Sequence, residues 1–163
     1  MSRAFVKEDG PDTAPLPDLP LSPHPNYVTP RGLAALQTAL AARQAELARL
    51  KARADPLDRT PEKTAERDIR YLDARLRTAI PVPPPPDPAE VAFATRVTVL
   101  DAAGTEATYE IVGEDEADAT RGLVAPHSPL ARALIGARVG DVVEWRKPGG
   151  TQALEITAIV PAG

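Results

Sequence analysis

The side chains that could do chemistry in this chain are few and widely spaced. Its 163 residues include no Cys and only two His, His24 and His127. The missing cysteines exclude a disulfide framework, a thiolate metal site and a cysteine nucleophile. The two histidines do not have the spacing of a zinc-binding pair, and the sequence contains no nucleotide-binding or serine-nucleophile motif. The acidic run 114–118 lacks the glycine and the distal glutamate of an EF-hand, so it predicts a solvated loop.

Charge is distributed unevenly along the chain. The net charge is −4, yet residues 30–80 carry 11 basic and 7 acidic side chains, whereas residues 81–163 carry 6 and 12. An acidic protein is not expected to bind duplex DNA in general, because neutralising phosphates requires a basic face. Only the basic middle segment suits nucleic acid or an acidic groove. Its distal part is crowded with four basic residues: Arg43, Arg49, Lys51 and Arg53.

This basic cluster lies at the distal end of a predicted helix. Thr29 can cap its amino end, and Pro30 suits the first helical position, where a missing N–H costs nothing. Leucines then follow at spacings of 3, 4, 7 and 3, which is a heptad pattern: Leu33, Leu36, Leu40, Leu47 and Leu50. Arg43 interrupts this apolar seam. The helix is expected to end near Asp55.

A second helix is predicted to start at Thr60-Pro61 and to end before Pro81. Ile69, Leu72 and Leu76 continue the apolar spacing of 3 and 4. The short connection predicts an antiparallel helical hairpin over residues 29–80, with a length of roughly 30 to 38 Å. The alternative is that both helices pack on the C-terminal domain.

Prolines divide the rest of the chain. Seven of the 19 lie between residues 11 and 30, and six more lie between residues 81 and 88. Because proline fixes φ and restricts the residue before it, residues 1–28 are predicted to be a disordered or extended tail. A docking peptide is the alternative. Residues 81–90 are predicted to be a stiff, polyproline-like linker.

Beyond the linker, the spacing of apolar residues changes from the helical period of three to four residues to the alternating period of a β-strand. Apolar and polar residues alternate around Val97, Tyr109, Trp145 and Ile156, in short runs separated by glycine and proline turns. One short helix is predicted after Ser128-Pro129, with the serine as its cap. Residues 91–163 thus predict a small β-rich domain with one helix, and the whole chain an α+β fold.

Four ordered blocks of this domain carry a resemblance to a known family: residues 108–118, 128–136, 139–143, and 148–150 followed by 154–156. They resemble the bacterial Gre transcript-cleavage factors, the GreA/GreB family that acts in the secondary channel of RNA polymerase. Further upstream, residues 26–33 resemble the start of the family's coiled coil. The resemblance implies an N-terminal antiparallel coiled-coil hairpin and an FKBP-like C-terminal domain.

The resemblance also implies where RNA polymerase core would bind. In the family the C-terminal domain docks beside the channel, and the segment that corresponds to Ser128 and Pro129 belongs to the docking surface. The family usually has Asn or Asp where this chain has His127, which is a departure next to that surface. The alternative is that Ser128 and Pro129 serve only as a helix start.

In the family, acidic residues at the hairpin tip help the polymerase hold a second Mg²⁺ that activates water. Asp55 and Asp58 match the spacing of that acidic pair, although the rest of the family's tip is absent. The predicted hairpin is about 15 residues shorter than usual, which retracts its tip by roughly 11 Å. Turn formation is the alternative role for both aspartates. The family's basic hairpin residues face the RNA 3′ region, which implies that role for Arg43, Arg49, Lys51 and Arg53, with a solvated helix face as the alternative.

The resemblance therefore predicts an accessory factor rather than an enzyme. It would modulate transcription elongation through the active site of the polymerase, with no cofactor of its own beyond a shared Mg²⁺. The alternatives are a non-cleaving channel occupant of the Rnk type and an interaction adaptor unrelated to polymerase. No long apolar run marks a signal peptide or a membrane span, so a cytoplasmic protein is expected. We also expect it to be a monomer.

Overall fold

The structure is a computed structural model that describes residues 14–54 and 57–163. Those residues form two long helices, α1 (Pro30–Lys51) and α2 (Thr60–Thr78), and a short helix, α3 (Pro129–Leu134). Two short strands flank the long helices: β1 (Tyr27–Val28) and β2 (Ile80–Pro81). The remaining strands build one sheet: β3 (Thr95–Asp101), β4 (Glu106–Ile111), β5 (Leu123–Val124), β6 (Val142–Lys147) and β7 (Gly150–Pro161). The predicted mixture of helices and sheet is confirmed.

Helices α1 and α2 pack side by side in antiparallel directions. The predicted cap is present, since the Thr29 hydroxyl accepts a hydrogen bond from the Gly32 N–H at 2.9 Å. Leu36 and Ala65 are buried between the helices, and the other seam leucines are half-buried. Helix α1 ends at Lys51, earlier than the predicted end near Asp55. No helix in the described residues combines the length and the apolar character needed to cross a bilayer.

The two ends of the hairpin are tied together by the parallel pairing of β1 with β2. The Ile80 N–H donates to the Asn26 carbonyl at 2.8 Å, and the Val82 N–H donates to the Val28 carbonyl at 2.9 Å. The buried Asn26 side chain also donates to the Arg75 carbonyl on α2 at 2.7 Å. These bonds clamp the base of the hairpin where the chain enters and leaves it.

The sheet has the strand order β5-β4-β3-β7-β6, with β4 and β5 parallel and the other neighbours antiparallel. The predicted alternation holds, because Val97 and Val99 on β3 are buried while the threonine between them is only half-buried. Ile156 on β7 and Leu134 on α3 join them in one apolar core. Helix α3 therefore covers one face of the sheet.

Of the two conformations predicted for the tail, disordered or extended, residues 14–25 adopt the extended one and lie along α2; we call them the strap. Every third residue is half-buried, namely Leu16, Leu19 and Ser22, while the others are exposed. This is the period of a polyproline helix, which has three residues per turn and so presents one edge to its neighbour. Arg70 of α2 holds the strap by donating to the Asp18 carboxylate at 2.5 Å and to the Leu16 carbonyl at 2.8 Å.

The acidic run that the sequence assigns to a solvated loop instead contacts the hairpin. Arg75 of α2, whose side chain is 4% exposed, lies 2.6 Å from the Asp115 carboxylate and 3.4 Å from that of Glu114. Tyr71, one turn earlier, donates its hydroxyl to Asp115. Burial, together with this hydrogen bond, raises the pKa of Tyr71 to about 12. The loop lies against α2 because the buried guanidinium of Arg75 requires carboxylate partners.

A second set of charges joins the start of α1 to the sheet. Arg31 lies 2.6 Å from the Glu116 carboxylate and 2.9 Å from that of Glu110 on β4. Glu110 also accepts from Arg96 on β3 at 2.6 Å, and the Thr29 hydroxyl donates to Glu116 at 2.6 Å. We call these pairs and those of Arg75 the ionic lock. The lock attaches both helices of the hairpin to the C-terminal domain.

Two glycines allow this close approach. A Cβ on Gly32, in the first turn of α1, would lie 2.6 Å from the Glu116 carboxylate. A Cβ on Gly113, just before the acidic loop, would lie 2.6 Å from the Tyr27 carbonyl. Both distances are shorter than van der Waals contact. A larger residue at Gly113 would push the backbone of the loop away from the hairpin, whereas one at Gly32 would displace the Glu116 carboxylate from its partners.

Replacing Arg75 is expected to weaken the attachment of the hairpin. Arg75→Ala leaves Asp115 partly buried without its cation, which is expected to lower the free energy of unfolding by about 3 kcal/mol. Urea denaturation followed by circular dichroism measures this. The control is Arg77→Ala on the same helix, where the side chain is exposed, with an expected change below about 0.5 kcal/mol. Equal losses in the two variants would contradict a role for the lock.

Acid is expected to weaken the lock at Glu110. Burial raises the pKa of Glu110, but hydrogen bonds from Arg31 and Arg96 outweigh it, so the pKa lies below its ordinary value. The stabilisation is therefore fully present above the unfolded-state pKa of about 4.3 and is lost as the pH falls through the lower folded-state pKa. Glu110→Gln is expected to lose roughly 1.5 kcal/mol at pH 7.

The same variant is expected to have a flatter decline of stability below pH 4.3 than the parent protein. Thermal unfolding between pH 7 and pH 3 measures both effects. Glu106→Gln, at an exposed position of the same strand, is the matched control and should retain the parent's pH profile. An unchanged profile for Glu110→Gln would mean that this carboxylate does not contribute to the lock.

Candidate functional site

The hairpin tip carries the first candidate residues. Asp58 is exposed just before α2, where its carboxylate accepts a hydrogen bond from the Thr60 N–H at 2.9 Å. Hydrogen bonds from the hydroxyl and the N–H of Thr60 lower the pKa of Asp58, so it is ionised at neutral pH. Leu57 beside it is 93% exposed. Asp55 lies outside the described residues, so its spacing from Asp58 stays a prediction.

The tip can be compared with what Mg²⁺ requires. This ion prefers octahedral oxygen coordination and usually takes one or two carboxylates from a protein. Asp58 offers one exposed carboxylate, and it already accepts from Thr60. Across residues 14–54 and 57–163 there is no group of three or more acidic or histidine side chains that could hold a metal ion. Asp58 thus fits as one ligand of an ion held mainly by another molecule.

Three of the four candidate RNA-facing residues pair with carboxylates on the opposite helix. Arg43 lies 3.3 Å from Asp68, Lys51 lies 3.0 Å from Glu66, and Arg53 lies 3.3 Å from Glu62. Arg43 also pairs with Glu46 at 2.6 Å, and this hydrogen bond raises its pKa. These cations hold α1 against α2, which leaves less of their charge for a ligand. Arg49, in the last turn of α1, is exposed.

The predicted docking residues lie where the core meets the surface. The Ser128 hydroxyl accepts from the Ala131 N–H at 3.2 Å, so it caps α3 as the sequence predicts. Pro129 follows at the first helical position and is exposed, whereas Leu130 and Leu134 are buried in the core. The core therefore holds this segment rigidly while its proline faces outward.

The structure adds one residue that the sequence did not single out for this surface. The ring of His24 on the strap stacks on the ring of His127, with 3.6 Å between centroids and 20° between planes. The strap is also tied here by Ser22, which donates to Glu114 at 2.8 Å. No local sequence signal points to this contact, because the two histidines are far apart in the sequence.

Comparisons with solved structures give partial likenesses. The GreA factor homolog 1 of Thermus thermophilus is 22% identical, with 83% of this chain and 99% of that chain covered and a TM-score of 0.41. A GreA/GreB elongation factor from Nitrosomonas europaea is 21% identical, with 83% and 98% covered and the same TM-score. The assignment of the chain rests on the sequence matches instead.

The sequence matches cover the sheet and the segment before it. The family profile of the C-terminal part of transcription elongation factor GreA/GreB matches residues 86–161. Transcription elongation factor GreA of Alkalilimnicola ehrlichii is 40% identical over 104 residues, which is 62% of this chain and 66% of that protein.

GreA of Cereibacter sphaeroides is likewise 40% identical, over 102 residues that cover 62% of this chain and 68% of that protein. The alignments thus span about two thirds of the length of these relatives. These sequence matches assign the chain: it belongs to the GreA/GreB family of transcription elongation factors.

Proposed function

We propose that this protein binds the core of bacterial RNA polymerase at its secondary channel and modulates transcription elongation. In this proposal the sheet domain docks beside the channel through His127, Ser128 and Pro129, while the helical hairpin enters it. The protein is an accessory factor, because the reacting atoms belong to the polymerase and its RNA. It acts in the cytoplasm as a monomer without a cofactor of its own.

The observation that carries the proposal is the family match over residues 86–161, the domain that presents an exposed proline on a rigid helix start. The hairpin supports it, since two antiparallel helices clamped at their base form a stiff projection. Helix α1 has 22 residues, so the projection is roughly 33 Å long. We further propose that this pair is the family's coiled coil and that the sheet domain is FKBP-like.

Within this function, the geometry favours channel occupancy over stimulated RNA cleavage. The resemblance implies a usual hairpin longer by about 15 residues, so an unchanged docking position leaves the tip short by roughly 11 Å. Metal coordination tolerates errors of only about 0.2 Å. Asp58 also has a turn-forming partner in Thr60. A cleavage role for Asp55 and Asp58 is the second candidate, and it would need a deeper docking position.

Backtracked elongation complexes separate the two candidates. We expect that the protein does not shorten the backtracked RNA, and that the double variant Asp55→Ala, Asp58→Ala behaves in the same way. Both proteins should nevertheless inhibit cleavage by an added GreA, because they occupy the channel as non-cleaving factors of the Rnk type do. RNA lengths on a denaturing gel measure both outcomes.

If the natural protein shortens the RNA and the double variant does not, the tip is a metal-assisting site. The proposal that the protein only occupies the channel would then be wrong. The double variant must remain folded under the assay conditions, which its urea unfolding curve establishes. This control is informative because Asp58 accepts hydrogen bonds in the turn before α2.

Binding to polymerase itself is tested at the docking segment. Pro129→Glu places a charge on the exposed first residue of α3, where an acidic residue is compatible with the helix. We expect affinity for core polymerase to fall at least about tenfold, as for a change at the centre of an interface. Thr105→Glu, in the exposed turn between β3 and β4, is the matched control. If the parent protein does not bind polymerase at low salt, the adaptor alternative is favoured.

A further inference from the structure

The only two histidines of the chain lie against each other, although they are far apart in the sequence. His24 belongs to the strap and His127 to the loop that precedes Ser128 and Pro129. Their rings stack at 3.6 Å between centroids. This contact brings the end of the strap to the edge of the proposed docking segment.

The strap is fixed to the body of the protein at several points. Arg70 holds Asp18 and the Leu16 carbonyl, and Ser22 donates to Glu114 at 2.8 Å. Immediately after the strap, the chain enters the clamp formed by β1 and β2. The segment is therefore ordered as part of the fold, so a partner that contacts it does not have to order it first.

The strap flanks the docking segment without covering it. Pro129 remains exposed, and Pro23, His24 and Pro25 are exposed as well. Proline rings have few conformations to lose, and together with the stacked imidazoles they form a rigid surface of mixed apolar and polar character. Such a surface suits a partner that offers an aromatic or long aliphatic side chain and a hydrogen-bond acceptor for an imidazole N–H.

We propose that residues 23–25 of the strap form one continuous docking surface with residues 127–129, and that RNA polymerase contacts both. The inference rests on the proposed function and adds to it a contact segment that precedes residues 26–33, where the family resemblance begins. The stack of His24 on His127 holds the two parts in register. The strap is a positioned part of the interface in this arrangement, and binding does not require its release.

Two measurements on the full-length protein test this proposal. In the first, His24→Ala removes the stack, and we expect affinity for core polymerase to fall roughly tenfold, or 1.4 kcal/mol. The matched control is Pro15→Ala, at an exposed position at the other end of the strap, where affinity should stay the same. Thermal unfolding of both variants establishes that they remain folded.

The second measurement detects contact directly. A photo-crosslinking p-benzoylphenylalanine replaces Pro23 in one protein and Thr105 in another. Strands β4 and β5 run parallel to each other. Thr105 comes before β4, whereas residues 127–129 come after β5. The two sites therefore lie at opposite ends of these strands. We expect crosslinks to polymerase subunits from position 23 and none from position 105.

The outcomes distinguish this inference from the proposed function. Unchanged or tighter binding by His24→Ala, or no crosslink from position 23 while the parent protein binds polymerase, would overturn the composite surface and leave the proposed function standing. Tighter binding would indicate that the strap obstructs docking. If the parent protein does not bind polymerase at all, the proposed function fails and this inference fails with it.

Discussion

The direction in which the hairpin projects depends on one buried guanidinium. Arg75 lies on the helix that returns from the tip, and it is neutralised by Asp115 and Glu114 from the C-terminal domain. Removing a charged side chain from water is unfavourable unless carboxylates replace the lost hydration. The acidic loop must therefore remain against α2. Arg31, at the start of α1, is more exposed than Arg75, but it also pairs with two carboxylates of the C-terminal domain, Glu110 and Glu116. Both helices are therefore attached to the same domain.

Beyond this attachment to the C-terminal domain, the two helices of the hairpin are also joined to each other by ion pairs. A projecting pair of helices has little core of its own, and cross-helix ion pairs supplement the narrow apolar seam around Leu36. Arg43, Lys51 and Arg53 all pair across the helices. Basic composition alone is thus a poor guide to RNA contact in this segment. The hairpin is better described as a stiff body whose reach is set by the length of its helices, and that reach limits what its tip can do.

The position of the proline-rich strap, beside Ser128 and Pro129, also depends on contacts between residues that are distant in the sequence. It has no helix or sheet hydrogen bonds of its own, so its position is decided by what it contacts, namely Arg70, Glu114 and His127. A segment that sequence composition marks as loosely structured becomes part of a rigid surface beside Ser128 and Pro129. In the proposed function, this surface acts as a unit although several elements of the fold contribute to it.

Local signals in the sequence were sufficient to predict the helices and strands. The caps at Thr29 and Ser128, the heptad leucines and the alternating strands depend on residues only a few positions apart, and each is present in the structure. The helix start at Pro129 followed from the same local signals. The pairing of Arg75 with Asp115 did not, because many basic side chains could match many acidic ones. The stack of His24 on His127 did not either, because the two residues are far apart in the sequence and no local pattern links them. Only the tertiary fold decides which distant groups meet, and burial then makes that choice energetically important.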